Sequence, residues 1–253
     1  MTGGHRWLLL SLIIAYATIG RVWAQDIAPA QVNVTPPAAI DNDVTRLLEL
    51  GERYMGMNNP DYARRPVKID LNAREKAGMQ AIRVFQQVTA LAPNNQDGWL
   101  WLGIAYTEKL HYAKKAAHGV PAHTDADIAA GIAAFRTALR CQPTDLLCAT
   151  YYGDALMTFC ANFDAAHDFW DNYFTTAKTD MQRAMALTQE ARACLNKAYF
   201  GKLHKTLSAD EAKTQYANAE HYMQQASALM PRMGSVLTMQ ELLQQYHDDI
   251  CGK

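Results

Sequence analysis

Trp99-Leu100-Trp101-Leu102-Gly103-Ile104-Ala105-Tyr106 decides how this chain folds. Trp99, Leu102 and Tyr106 fall at i, i+3 and i+7, the spacing of one helix face, with Gly103 beside them. A glycine inside a helix costs about 1 kcal/mol against alanine, so this one marks a place where a second helix approaches closely. The same spacing recurs upstream at Leu47, Leu50, Gly51 and Tyr54. A weaker copy lies downstream at Ala149, Tyr152, Gly153 and Leu156. The three glycines are 52 and 50 residues apart.

A second pattern follows the first two copies. Ala81, Phe85, Val88 and Pro93 match Gly131, Phe135, Ala138 and Pro143 with identical spacings, and Ala219, Met223, Ala226 and Pro231 repeat them. Proline lacks the backbone N–H and clashes with the preceding turn, so Pro93, Pro143 and Pro231 should end helices. Pro93-Asn94-Asn95 and Pro143-Thr144-Asp145 then offer turn and N-cap residues for the next helix.

Taken together, the patterns resemble the tetratricopeptide repeat (TPR), W-x2-L-G-x2-Y followed by A-x3-F-x2-A-x4-P, over roughly residues 42 to 231. The resemblance implies an all-α fold. Its antiparallel helical hairpins stack in a right-handed solenoid of about nine helices, closed by a C-terminal capping helix. The repeat domain is expected over 42–253, with units at about 42–93, 96–143, 146–177 and 179–231 and a capping helix at 235–248. An ordinary unit has 34 residues, whereas the first two here carry about 18 and 16 more between their helices. In the first unit, residues 58–70 read as a loop, with the second helix starting near Leu71. In the second, the first helix runs on through Tyr112 and Ala117, breaks at Gly119-Val120-Pro121, and gives way to a helix capped by Thr124 or Asp125. Helix pairs are expected at 146–160 with 163–176, and at 179–200 with 208–230.

Residues 1–24 read as a secretory signal: Arg6 supplies a positive start, Trp7 to Ile19 an apolar stretch, and Val22-Trp23-Ala24 a cleavage site. The apolar run is short for a bilayer core about 30 Å thick, so cleavage after Ala24 is expected, with an uncleaved anchor as the alternative. Residues 25–41 are rich in Pro and Ala and read as a flexible tether. Removing 1–24 removes Arg6 and Arg21 and no acid, which moves the formal charge from −1 to −3. A near-neutral chain without a basic run is a poor nucleic-acid binder. The expected location is the periplasm or the extracellular space, and membrane contact would come only through a partner or an uncleaved signal.

Chemistry-bearing patterns are sparse. The chain has no G-x-S-x-G elbow, P-loop, G-x-G-x-x-G or H-E-x-x-H, and the expectation is a protein that is not an enzyme and needs no cofactor. His111, His118 and His123, with Asp125 and Asp127, form the one His-rich cluster. Their spacings do not share a helix face, so they read as surface histidines of an insertion and no metal site is assigned. Phe159, Phe163, Phe169, Trp170, Tyr173 and Phe174 are a dense aromatic set; Phe163, Trp170 and Phe174 share a face by spacing and read as core between hairpins. The five cysteines are Cys141, Cys148, Cys160, Cys194 and Cys251. Cys141 and Cys148 straddle Pro143, and in an oxidising compartment a bridge between them is favoured over two ordinary thiols.

In the family, one face of each first helix lines a concave groove that takes extended peptides. By matching positions, the resemblance implies Leu48, Glu49 and Glu52 from the first unit. It implies Asp97, Leu100, Trp101, Ile104 and Glu108 from the second, and Leu147, Tyr151, Asp154 and Met157 from the third. Family members that grip a C-terminal carboxylate do so with Lys, Arg and Asn, and none of these positions carries one. The implied occupant is therefore an apolar, basic-tolerant protein segment. The leading expectation is an exported scaffold that binds a protein partner or extended peptide. The alternative is a periplasmic binding subunit for a small apolar ligand, similar to helical-repeat accessory components of transporters.

Overall fold

A computed structural model describes residues 38–58, 71–115 and 125–252. Those residues form nine helices and no strand: α1 (Ala38–Asn58), α2 (Leu71–Leu91), α3 (Gln96–Lys115), α4 (Asp125–Cys141), α5 (Leu146–Thr158), α6 (Phe163–Thr176), α7 (Asp180–Leu203), α8 (Ala209–Leu229) and α9 (Gly234–Cys251). They fall into two compact units that meet in sequence at Gln142 and Pro143. The expected helices are present, with shifted ends. α1 starts at Ala38, inside the stretch expected to be a tether, because Ala38 and Ala39 are strong helix formers and no proline interrupts until Pro60. The signal, the loop expected beyond Asn58 and the break at 119–121 lie outside the described residues.

In the first unit α1 pairs with α2 and α3 with α4, while α2 and α1 both pack on α3. The repeated glycines do what their spacing implied. A Cβ built on Gly51 would overlap the ring of Phe85, and one on Gly103 would lie 2.5 Å from Phe135 Cε1. Each ring is fully buried. Gly131 completes the second crossing, since its Cβ position is 3.4 Å from the carbonyl oxygen of Gly103. The two helices therefore approach at backbone distance, through a glycine on each side. Between hairpins, Val88 of α2 fills the space over Gly98 of α3. Asn95 Oδ1 accepts from the Gly98 amide at 2.7 Å, and Trp99 Nε1 donates to the Pro93 carbonyl at 2.7 Å. The turn after Pro93 is thus capped and locked by residues on either side of it.

In the second unit α5 pairs with α6, α6 packs on α7, and α7 pairs with α8, with α9 laid against both α7 and α8. Side-chain caps open these helices. Asp145 accepts from the Cys148 amide, Asn162 from that of Ala165, and Thr179 and Ser208 form reciprocal capping boxes with Gln182 and Glu211. Gly153 repeats the crossing seen in the first unit, this time under the indole of Trp170. Val236, Met239, Leu243 and Ile250 of α9 are buried over the α7–α8 hairpin, among Leu187, Cys194, Tyr216 and Met223. At the far end, Lys202 Nζ donates to the carbonyls of Asp249 and Ile250 at 2.8 Å each. That contact satisfies two orphan acceptors of α9 with a cation at its negative end.

Because the Cβ position on Gly103 meets the Phe135 ring, even the smallest side chain should be unwelcome there. Gly103→Ala should lower stability by about 1–3 kcal/mol, the usual range for overpacking, despite alanine's higher helix propensity. Adding Phe135→Leu should recover part of the loss. Urea denaturation of the two variants checks this; an unchanged midpoint for Gly103→Ala would mean that the crossing is looser than described.

Candidate interaction surface

The family-implied positions divide sharply once each is placed. In the first unit Leu100 and Ile104 are buried, because α3 is covered by α1, α2 and α4 together. Trp101 is half-buried and stacks on Phe85 of α2, with ring centroids 6.1 Å apart and planes 11° from parallel. It is a packing element between hairpins as well as a partly accessible ring. Asp97, Glu49 and Glu52 are exposed and Leu48 is half-buried. Glu108 lies on α3, and its side chain is outside the described set. The expectation of an apolar centre built from Leu100 and Ile104 is corrected: both contribute their surface to the hairpin core.

In the second unit Met157 is likewise buried, and the side-chain amide of Asn196 on α7 points to its sulfur at 3.9 Å. Leu147 and Tyr151 remain at the surface. Leu147 is 55% exposed, and Tyr151 and Asp154 are half-buried. These three lie at i, i+4 and i+7 on α5, one stripe of a helix. The neighbouring start of α7 is held close, since Gln182 Nε2 and Tyr173 Oη both donate to the Thr144 carbonyl, at 2.9 and 3.0 Å. Asp154 does not face outward as a lone charge, because Arg192 of α7 pairs with it. The stripe is therefore apolar and aromatic with a neutralised polar end. The acidic character expected there is corrected by a basic residue that its position in sequence did not reveal.

Of the aromatic set, Trp170 and Tyr173 are core and Phe159, Phe163, Phe169 and Phe174 are half-buried around them, and they do not form a single face. Trp170 sits on Gly153 of α5, and Phe169 meets Tyr152 edge-on at 4.7 Å. Phe163 instead stacks on Phe200 of α7 at 6.0 Å, and Phe174 packs against the α7–α9 core. Ala166 and Trp170 carry the A-x3-F spacing of a second helix, so the third unit holds a copy of the second pattern with indole in place of phenyl. No disulfide joins the described cysteines. Cys148 is buried in the first turn of α5, while Cys141 is exposed at the end of α4. His118 and His123 lie outside the described residues, as does the side chain of His111.

Sequence reasoning missed one group altogether. Glu190 of α7 is 2% exposed, and its Oε1 has no hydrogen-bond partner among the described residues. Burial, reinforced by the nearby Asp171 carboxylate, pushes its pKa up to about 8, so it is a neutral acid at pH 7. Cys194, one turn on, is pushed up to about 12, first by burial and then by Glu190. Its thiol is held protonated, the reverse of what a nucleophilic cysteine needs. His167 meets Tyr222 at 3.0 Å across the same α6–α8 region. Glu190 and Cys194 are thus both held in their neutral forms by burial in the α7 core. Among the described residues, no group of three or more His, Cys, Asp or Glu is placed to hold a metal ion.

No family model matches the chain, and no curated protein matches it. Among solved structures it is similar to a thermophilic TPR protein of Thermus thermophilus, at 16% identity and a TM-score of 0.42, over 80% of this chain and 97% of that one. The TPR-like character described here rests on this chain's own hairpins.

The buried acid makes stability depend on pH in a stated direction. Unfolded, Glu190 ionises near its ordinary 4.5; folded, near about 8. Between these values the unfolded chain releases a proton that the folded chain keeps. The contribution is therefore whole below pH 4.5 and falls as pH rises to about 8, by at most about 1.4 kcal/mol per pH unit. Glu190→Gln should melt close to the native chain at about pH 5 and several degrees above it at about pH 8. Parallel melting curves across that range would show that the carboxyl is solvated.

Proposed function

We propose that this chain is an exported, non-catalytic scaffold that binds an apolar, extended protein segment along the α5 stripe of its second unit. The observation that carries the reading is the exposure of Leu147 beside half-buried Tyr151 on a helix whose other faces are packed. An apolar side chain left outside a well-filled hairpin is costly to leave in water and gains by association. An aromatic residue next to it is the residue type that most often anchors an interface. The Asp154–Arg192 pair at the end of the stripe offers both a donor and an acceptor to a peptide backbone or a polar side chain. Export belongs to the same proposal and rests on the charged, apolar and small-residue order of residues 1–24.

A photo-crosslinking amino acid at position 147 tests the binding reading in the native envelope fraction. It should give a discrete protein adduct whose crosslinked peptide is rich in apolar residues. Tyr151→Ala should reduce that adduct severalfold, while far-ultraviolet circular dichroism stays unchanged. Recovery of a small apolar molecule by native mass spectrometry, with no protein adduct, would favour the ligand-binding alternative. N-terminal sequencing of the native protein should begin at Gln25; an intact Met1 in the membrane fraction would defeat cleavage.

A further inference from the structure

The outer face of α1 carries an uncovered apolar patch with an ordered charge pattern. Leu50 is 38% exposed, whereas Leu102, at the same motif position in α3, is 5% exposed. The difference has a visible cause. α3 is covered by α2, whose Val88 and Phe85 reach Gly98 and Trp101, while no described helix precedes α1. Leu47, Leu50 and Leu91, the last at 45% exposed, line a shallow pocket there. Around it stand Asp43, Arg46, Glu49 and Arg53, so that acid and base alternate along one helix. Within the single chain Arg53 lies 3.7 Å from Glu49, an exposed pair that holds it only weakly.

That alternation is self-complementary under a two-fold axis. If α1 meets an antiparallel copy of itself about residue 48, Asp43 and Arg53 lie at equal distances from the axis, about 7.5 Å along the helix at 1.5 Å per residue. Asp43 of each copy then faces Arg53 of the other. Arg46 with Glu49, and Leu47 with Leu50, are pairs centred within about half a residue of the same point, so each falls one residue, about 1.5 Å along the helix, from the level of its complement. Across that axis the facing charge nearest in level to each of the four charged residues is of opposite sign, while the closest like pair, Glu49 with its own copy, is offset by two residues, about 3 Å along the helix. A net excess of opposite over like contacts is what an isologous interface demands. We infer that the α1 face is a homodimer interface, in which α1 of a second copy takes the place that a preceding repeat helix would fill. The chain's own residues 25–37 match the patch poorly: they contain one charged residue, Asp26, and three prolines. A one-helix contact falls short of the roughly 1,600 Å² buried in stable complexes, so the dimer should be reversible, with micromolar dissociation.

Sedimentation equilibrium of the processed chain, with residues 25–37 retained, tests this. The native chain should show a monomer–dimer equilibrium. Arg53→Asp sets one acid against another, the new carboxylate facing Asp43 of the other copy, twice per dimer, and should weaken association about tenfold or more. Adding Asp43→Arg restores opposite charges across the axis and should recover most of the affinity. Both positions are exposed, so folding should be indifferent, and Leu50→Glu gives a second, independent disruption. A native chain that stays monomeric to about 100 μM overturns the inference, as does an Arg53→Asp variant that dimerises unchanged. If Leu50→Cys in such a monomer resists maleimide until residues 25–37 are deleted, the chain's own segment is the occupant and the dimer is again excluded.

Discussion

The structure depends on one recurring constraint: a glycine on the first helix of a hairpin faces a large ring on the second. Gly51 with Phe85, Gly103 with Phe135 and Gly153 with Trp170 are the same contact made three times. Each ring is fully buried, so the hairpin gains the area of an aromatic side chain without spacing the helices apart. Helix propensity opposes every one of those glycines. Their recurrence at matched positions shows that closeness of approach outweighs the local cost. Once the crossing is set, the remaining buried positions are filled by alanines interleaved with larger apolar residues such as Ile82, Leu102 and Leu156.

This constraint explains why the architecture was legible and the surface less so. Glycine and aromatic spacing recurs across intervals of 52 and 50 residues and survives long insertions, because the insertions lie between the helices and leave the crossing untouched. The turn residues after Pro93 and Pro143 were readable for a similar reason: Asn95 and Asp145 each cap the following helix through a short, local bond. The second helix of the third unit was expected at 163–176, but its copy of the second motif was not matched, because Trp170 replaces phenylalanine and no proline closes the helix. Ala166-x3-Trp170 was the signal that could have found it.

Position-by-position transfer of a groove failed where helix contacts are added. Leu100 and Ile104 occupy positions that the family implies are open, yet α3 is enclosed by three neighbours, so both are core. Arg192 comes from α7, 38 residues beyond Asp154, and nothing in the spacing of a repeat predicts a pair at that distance. Glu190 was missed for a related reason. α7 is contacted by α5, α6, α8 and α9, so it has almost no solvent side on which a periodicity rule could place an acid. Its neighbours Leu187, Ala191 and Cys194 lie at helical spacing around it and are buried, but a single glutamate in an alanine-rich helix reads as solvated until the neighbours are counted.

The two units thus meet different physical demands with the same hairpin. In the second, α9 closes the apolar face of the α7–α8 pair and Lys202 satisfies its end, which is how a stack of repeats is finished. In the first, α1 carries no such closure among the described residues, and its leucines stay partly in water. A repeat stack leaves an apolar face at each end unless something polar or something folded covers it. Capping by a dedicated helix solves that problem within the chain; pairing with another copy solves it between chains. The alternating charges of α1 belong to the second solution, because a face meant only for water needs charge of any arrangement, whereas a face meant for its own copy needs charges that oppose themselves across an axis.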